Sequence, residues 1–324
     1  VMSRGSTATG AVLTAADSVA YLGPQGTFTE VAMRAMPSVG DAQAVPMTSV
    51  DAVLDAVRRG DVAAGVVPIE NSLEGPVTTT LDALARRDSQ LVITQEWAIP
   101  VRFSLLVRPG VSLSEIRQVA SIPIAAAQCR GWLSENLPDA HVLAALSTAS
   151  AAQRLGTENP PPYDAAISPA VAAQHYGLEV LADDIGDNSA ASTRFVQVRR
   201  PGPPPPRTGA DKTTLMLFMR EDHAGALMEI LTEFAVRGVN LTNIESRPTR
   251  KQLGDYYFAI DCEGHVADAR VGEALTGLRR VCAEVRYLGS YPRHDGKQPH
   301  ARPGTADEDF ANAAAWLAQI RSGA

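Results

Sequence analysis

The chain has 324 residues, 45% of them hydrophobic and 20% charged, with a formal net charge of -7. That length suits about two domains with real cores. The acidic balance gives no reason to expect nucleic acid or an anionic membrane as partner, and no apolar run approaches the roughly 20 residues that span a bilayer.

The opening VMSRGSTATGAVLTAADS is small and polar, without the compact apolar segment of a signal peptide, so residues 1–17 are expected to be mobile. VAYL (19–22) reads as a short strand and GPQGT as a turn. A helix then follows from about Phe28, started by a capping box Thr27-x-x-Glu30. The next helix, around 49–59, places Val50, Val53, Leu54 and Val57 on one face and stops at Gly60. VAAGVVPI (62–69) reads as a fully buried strand, and further strands are expected at SLLV (104–107), IPIAAA (122–127) and AAIS (165–168). This alternation implies an α/β fold with parallel strands over residues 18–200, in which ligands sit beyond the carboxyl ends of strands. The cysteines Cys129, Cys262 and Cys282 are odd in number and form no CxxC. They point to a reducing, cytoplasmic setting rather than a disulfide framework or a zinc site.

RRPGPPPPRTG marks the main boundary. Its four consecutive prolines make 201–210 an extended linker. Residues 211–291 follow the order strand (TTLMLFM), helix (AGALMEILTEFAVRG), strand (NLTNIESRP), strand (YYFAIDC), helix (about 267–280) and strand (EVRYLGS). That is the ferredoxin-like βαββαβ pattern. Leu227, Ile230, Leu231 and Phe234 have helical spacing and are expected in its core, with Gly238 ending the helix. The remaining residues, 292–324, form a tail, expected to be mobile, that ends in a short amphipathic helix carrying Phe310, Ala314, Leu317 and Ile320.

Two polar clusters fall where an α/β fold keeps its chemistry. PIENSLEGPV puts Glu70, Asn71 and Ser72 directly after a buried strand, and STRF (192–195) leads into FVQV. No Ser–His–Asp motif, HExxH, GxxxxGK[ST] or strand-following GxGxxG is present, so no cofactor is expected. Hydroxyls, amides, a carboxylate and an arginine suit a reaction with its own driving force that needs positioning and help for one leaving group.

YLGPQGTFTE, PIENSLEGPV, AQCRGWL (127–133) and STRF, in this order and spacing, resemble the prephenate dehydratase family. GALMEIL and NIESRP resemble the regulatory ACT domain attached to it. The resemblance covers about 19–290 and implies a two-lobed catalytic domain of type II periplasmic-binding-protein fold, followed by the ACT domain. It also implies decarboxylating dehydration of prephenate to phenylpyruvate, without a cofactor. Thr193 would then contact the departing hydroxide, with Glu70 a possible proton source if burial raises its pKa. Asn71 and Ser72 would orient substrate or stabilise charge, and Arg194 would bind a carboxylate through its planar fork. Thr27 would hold the other carboxylate at a helix start, and Phe195 and Gln128 complete the implied substrate site. L-Phenylalanine would inhibit from a pocket shared between subunits of a homodimer or homotetramer. Gly225, Ala226 and Leu227 would form one side of it, and Asn240, Leu241, Glu245 and Ser246 the other.

The chain departs from the family pattern at Ala191, where an Asn is usual although Asn188 is near, and at Ile122, where a His is frequent before the proline. Read singly, each residue has a plainer alternative. Glu70-Asn71-Ser72 would cap a helix, Thr193 would be a β-branched strand residue and Arg194 a surface ion pair. Gln128 and Cys129 would be a strand end with a buried thiol, and Thr27 only a cap. Two rival functions stand beside the dehydratase: the same chemistry on arogenate, and a non-catalytic regulator that binds an aromatic acid.

Overall fold

The computed structural model describes residues 12–221, 223–249, 256–299 and 302–323. Most of the N-terminal segment expected to be mobile, residues 1–11, therefore lies outside the described residues, but Leu13 is buried and its N–H donates to Ser38 O at 3.0 Å. The chain forms two compact units. One comprises Leu13–Ala83 and Trp97–Gln197; the other comprises Leu84–Glu96 and everything from Val198 onward.

The first unit opens with β1 (Ser18–Leu22), α1 (Phe28–Ala35), β2 (Gln43–Met47) and α2 (Val50–Arg59). Each helix starts where its cap dictates. Thr27 accepts the Glu30 N–H and Ser49 the Ala52 N–H, while Gly60 closes α2 in the left-handed conformation. Val50, Val53, Leu54 and Val57 are all buried, as their spacing requires. Next come β3 (Ala64–Asn71), the two-residue β4 (Gly75–Pro76), α3 (Thr78–Leu84) and β5 (Val92–Pro100). β3 runs two residues further than its apolar run, so Glu70 and Asn71 end the strand rather than follow it.

The second half of this unit holds β6 (Ser104–Val107), β7 (Gln118–Ser121), α4 (Pro123–Gln128), α5 (Arg130–Asn136), β8 (His141–Ala144) and α6 (Thr148–Thr157). It ends with β9 (Ala165–Ser168), α7 (Val171–Tyr176), β10 (Glu179–Ala182) and β11 (Ser192–Arg199). The strand expected at 122–127 is helix α4. Pro123 sits at its first position, where a missing N–H costs nothing, and the alanines that follow are strong helix formers.

Two sheets result. The first has the order β2-β1-β3-β11-β5, with β4 paired to β3. The second has the order β10-β6-β9-β7-β8. The second sheet is mixed rather than parallel, because β6 runs antiparallel to both β9 and β10. SLLV and AAIS are buried throughout, apolar except for Ser104 and Ser168, because both faces of the sheet are covered. Leu105, Val107, Ala165 and Ile167 pack into one core, while Leu106 and Ala166 pack into another. The chain passes from the first sheet to the second after β5 and returns before β11. Val101 N–H to Ala191 O (2.8 Å) ties the two crossings together. These sheets are the two lobes.

The other unit contains β12 (Asp211–Met219), α8 (Ala226–Ala235), β13 (Leu241–Pro248), β14 (Tyr256–Glu263), α9 (Ala269–Val281), β15 (Cys282–Pro292) and α10 (Asp307–Ser322). The antiparallel order β13-β14-β12-β15 is the ferredoxin-like one. Its core gathers Leu215, Leu217, Ile230, Phe234, Ile260 and Leu278 with their neighbours. Leu227, expected there, is 38% exposed. The buried stripe of α8 is Ala226, Ile230 and Phe234. Leu227 lies one residue, about 100° of helix, away from it. α10 exposes Leu317 and Ile320, and Phe310 is half-buried.

Candidate active site

β3 and β11 are neighbours in the first sheet, and their adjacent ends carry both polar clusters. Asn71 Oδ1 accepts the N–H groups of Leu73 (2.9 Å) and Glu74 (3.0 Å). These bonds fix which end of the amide faces β11, and Nδ2 donates to Thr193 Oγ1 at 2.8 Å. A hydroxyl has one proton and two lone pairs. The Asn71 bond occupies a lone pair, so the Thr193 proton is available to donate. Thr193 itself is buried.

Beside this pair, Arg194 Nε donates to Glu70 Oε2 at 2.9 Å, with side chains 9% and 43% exposed respectively. The Glu70 carboxylate is thus half-open to solvent and paired with a buried guanidinium. Ser72 and Ser192 are linked reciprocally: Ser72 N–H donates to Ser192 O, and Ser192 N–H to Ser72 Oγ, both at 2.9 Å. This linkage closes the strand pair, so the Ser72 hydroxyl already has a structural task.

The other residues expected in the site are arranged differently. The Thr27 hydroxyl donates to Leu22 O (3.1 Å) and accepts from Glu30 N (3.3 Å), which is the work of a cap. Phe195 is buried in the core with Tyr21, Met33, Val66 and Ile99, because alternation along β11 turns it to the sheet face opposite Arg194. There it anchors the strand. Gln128 ends α4 in the second lobe, half-buried, and its carbonyl accepts Asp187 N–H at 2.6 Å. Burial, and then the nearby Asp187, push the Cys129 thiol up to about 12, so it is no nucleophile. Ala191 is buried, and Asn188 Oδ1 accepts Ala190 N–H in the turn before β11. No group of three or more His, Cys, Asp or Glu that could hold a metal ion occurs among the described residues, and no helix there is long and apolar enough to cross a membrane.

In the ferredoxin-like unit, Gly225 (φ +96°) caps α8 and faces open space. Asn240 and Leu241 lie at the start of β13, and Glu245 and Ser246 lie further along that edge strand. A cavity of about 310 Å³ is lined by Met219, Arg220, Glu221, His223, Ala226, Glu229, Ile230, Val281 and Cys282. Of the residues expected around an effector, only Ala226 lines it. Glu229, 3.1 Å away, and then the Glu221 carbonyl raise the His223 pKa above its ordinary value. The sequence signal for this rim is the charged stretch with Arg220, Glu221 and His223 just ahead of Gly225.

The prephenate dehydratase family model matches residues 19–203, and the ACT domain model matches 213–280. A Mycobacterium marinum protein named prephenate dehydratase is 46% identical over 313 residues, covering 94% of this chain and 96% of its own. Among solved structures, a prephenate dehydratase from Arthrobacter aurescens in complex with L-Phe is 50% identical with a TM-score of 0.89, covering 94% of this chain and 99% of that one. GqqA, described as a novel type of quorum-quenching acylase, is 30% identical with a TM-score of 0.75, covering 85% and 97%. By both the family models and these relatives, the chain belongs to the prephenate dehydratase family, with an ACT domain behind its catalytic unit.

Proposed function

We propose that the chain converts prephenate to phenylpyruvate and that L-phenylalanine regulates it through the ACT unit. In this carbon–oxygen lyase reaction, prephenate takes up one proton and yields phenylpyruvate, carbon dioxide and water. The bond to the ring carboxylate breaks with its electron pair entering the ring, and the ring C–O bond breaks with its pair leaving on oxygen. Aromatisation supplies the driving force, so the protein has mainly to hold two carboxylates and stabilise the departing hydroxide.

The observation that carries this reading is the Asn71–Thr193 hydrogen bond. It aims the Thr193 proton away from Asn71, towards a leaving group. Thr193 donates to the departing oxygen, and the proton consumed comes ultimately from solvent. Arg194, steadied by Glu70, supplies positive charge for a substrate carboxylate. Thr27 and Ser72 shape the site through the loops they tie, and Gln128 contributes from the second lobe.

The Arthrobacter relative's complex with L-Phe supports phenylalanine as the effector. An effector shared between subunits fits a homo-oligomer built through the ACT units, where Met228, Val236 and Ile244 are exposed. Arogenate differs from prephenate by one amino group and is the control substrate.

The test is a cofactor-free assay of phenylpyruvate formation from prephenate for the parent chain, Thr193→Ala and Thr193→Ser, with and without phenylalanine. Turnover that collapses in Thr193→Ala, survives partly in Thr193→Ser and falls with phenylalanine is expected. Intact prephenate with the parent chain would overturn the reading.

A further inference from the structure

Glu30 is buried in the first lobe and held by four partners. Its Oε2 accepts Gly26 N–H (2.8 Å) and, more distantly, the Tyr21 hydroxyl (3.4 Å), and His175 Nε2 lies 3.2 Å from it, while Oε1 accepts Arg34 Nε and Nη2, each at 3.0 Å. Gly26, Tyr21 and Arg34 belong to β1, α1 and the turn between them. His175 does not: it lies on α7, whose Ala172 and Ala173 pack in the core of the second sheet. The Glu30–His175 contact therefore joins the two lobes of the catalytic unit.

Two further contacts run along the same seam. The Tyr176 hydroxyl donates to Gln25 O at 2.7 Å. Gly26, at φ +82°, lies so close to α7 that a Cβ there would meet Ala172 Cα and Cβ at 2.8 Å. A left-handed glycine is needed for both reasons. Burial works against the Glu30 carboxylate, but the Gly26 N–H, Arg34 and His175 outweigh it and hold its pKa low.

A carboxylate buried without compensation is costly, so a pairing that draws its last partner from another lobe links burial to lobe position. When the lobes part, His175 leaves and Glu30 loses a polar neighbour.

We propose that Glu30 and His175, with Tyr176 and Gly26, form an interlobe clasp that fixes the spacing of the two lobes. These are positioning residues, acting on substrate through the spacing between the strands that carry Asn71 and Thr193 and the second lobe that carries Gln128. The inference rests on the dehydratase reading only for its kinetic consequence.

The test combines a distance with kinetics. Exposed Asp51 on α2 and Gln153 on α6 take spin labels after Asp51→Cys and Gln153→Cys, the native cysteines being buried. With no ligand present, and with labelled chains diluted into unlabelled ones so that only distances within a chain are read, a single narrow distribution is expected. His175→Ala is expected to lengthen and broaden it, raising KM for prephenate about tenfold with kcat within about twofold. His175→Gln, whose amide can still donate to Glu30, is expected to restore both. Because the distances are read without substrate, they decide the clasp even if the parent chain turns over no prephenate. An unchanged distribution in His175→Ala overturns the clasp, and a changed distribution with an unmoved KM overturns its positioning role. His175 is 26% exposed, so its loss is less hazardous to folding than that of Glu30.

Discussion

Each unit of this protein contains a carboxylate paired with a cation, and the two pairs have opposite characters. In the catalytic unit, Glu70 meets Arg194 with the carboxylate 43% exposed, beside an aligned Asn71–Thr193 bond. In the other unit, Glu96, which ends its Leu84–Glu96 segment, meets Lys212 Nζ at 2.8 Å with the side chains 1% and 10% exposed, and Glu96 Oε1 also accepts the His294 N–H at 3.2 Å. The chemistry is the same while the solvent differs. A half-open pair beside a donor is placed to meet a ligand, whereas a closed one specifies how strands join. Partner identity alone does not separate a functional ion pair from a structural one; burial and neighbours do.

Substitutions can break or sharpen that contrast. The largest effect is expected at Thr193: Thr193→Ala should lower kcat by ~10²–10⁴ while leaving the denaturant midpoint nearly unmoved. A drop in stability of equal weight would reassign the catalytic side of the comparison to structure. Lys212→Met should do the reverse, removing ~3–5 kcal/mol of stability by stranding a buried carboxylate. Chemical denaturation measures this, and the double variant Glu96→Leu/Lys212→Met should recover much of the loss.

Thr27→Ala tests a residue that the resemblance gave to substrate and the geometry gives to a helix. A cost of about 1 kcal/mol in stability is expected. A kcat/KM loss as large as that of Thr193→Ala would return Thr27 to the substrate.

The smallest effect is one of pH. The hydrogen bond from Arg293 lowers Asp295 to about 2. A carboxylate depressed on folding stabilises the folded state above its unfolded pKa, and that contribution is lost as pH falls from about 3.8 towards 2. Arg293→Met should therefore flatten the acid limb of stability in that window, and an unchanged limb would count against the assignment.

Helices and strands were legible wherever their cause was local. Ser49, four apolar residues at helical spacing and Gly60 define α2 within twelve positions. The unbroken SLLV and AAIS runs announce strands covered on both faces. The chemical clusters were legible as clusters, since Glu70-Asn71-Ser72 and Thr193-Arg194 stand at strand ends. IPIAAA misled because a short apolar run fits either element, and the proline that settles the choice works at a helix start as well as it interrupts a strand. Phe195 marks the limit of a motif: it is next to Arg194 in sequence, yet alternation along β11 turns it to the other face of the sheet and into the core.

By itself, then, the sequence determined most of the element order, the family and the residue types at the site, because caps, periodicity and motifs act over a dozen residues or fewer. Only the tertiary structure decided which hydroxyls are already committed, that Asn71 aligns Thr193 across 122 residues, and that Glu30 draws His175 from the other lobe. Those outcomes depend on which strands become neighbours. Strand neighbours are chosen by burial of the whole sheet, a sum over distant residues that no local stretch contains.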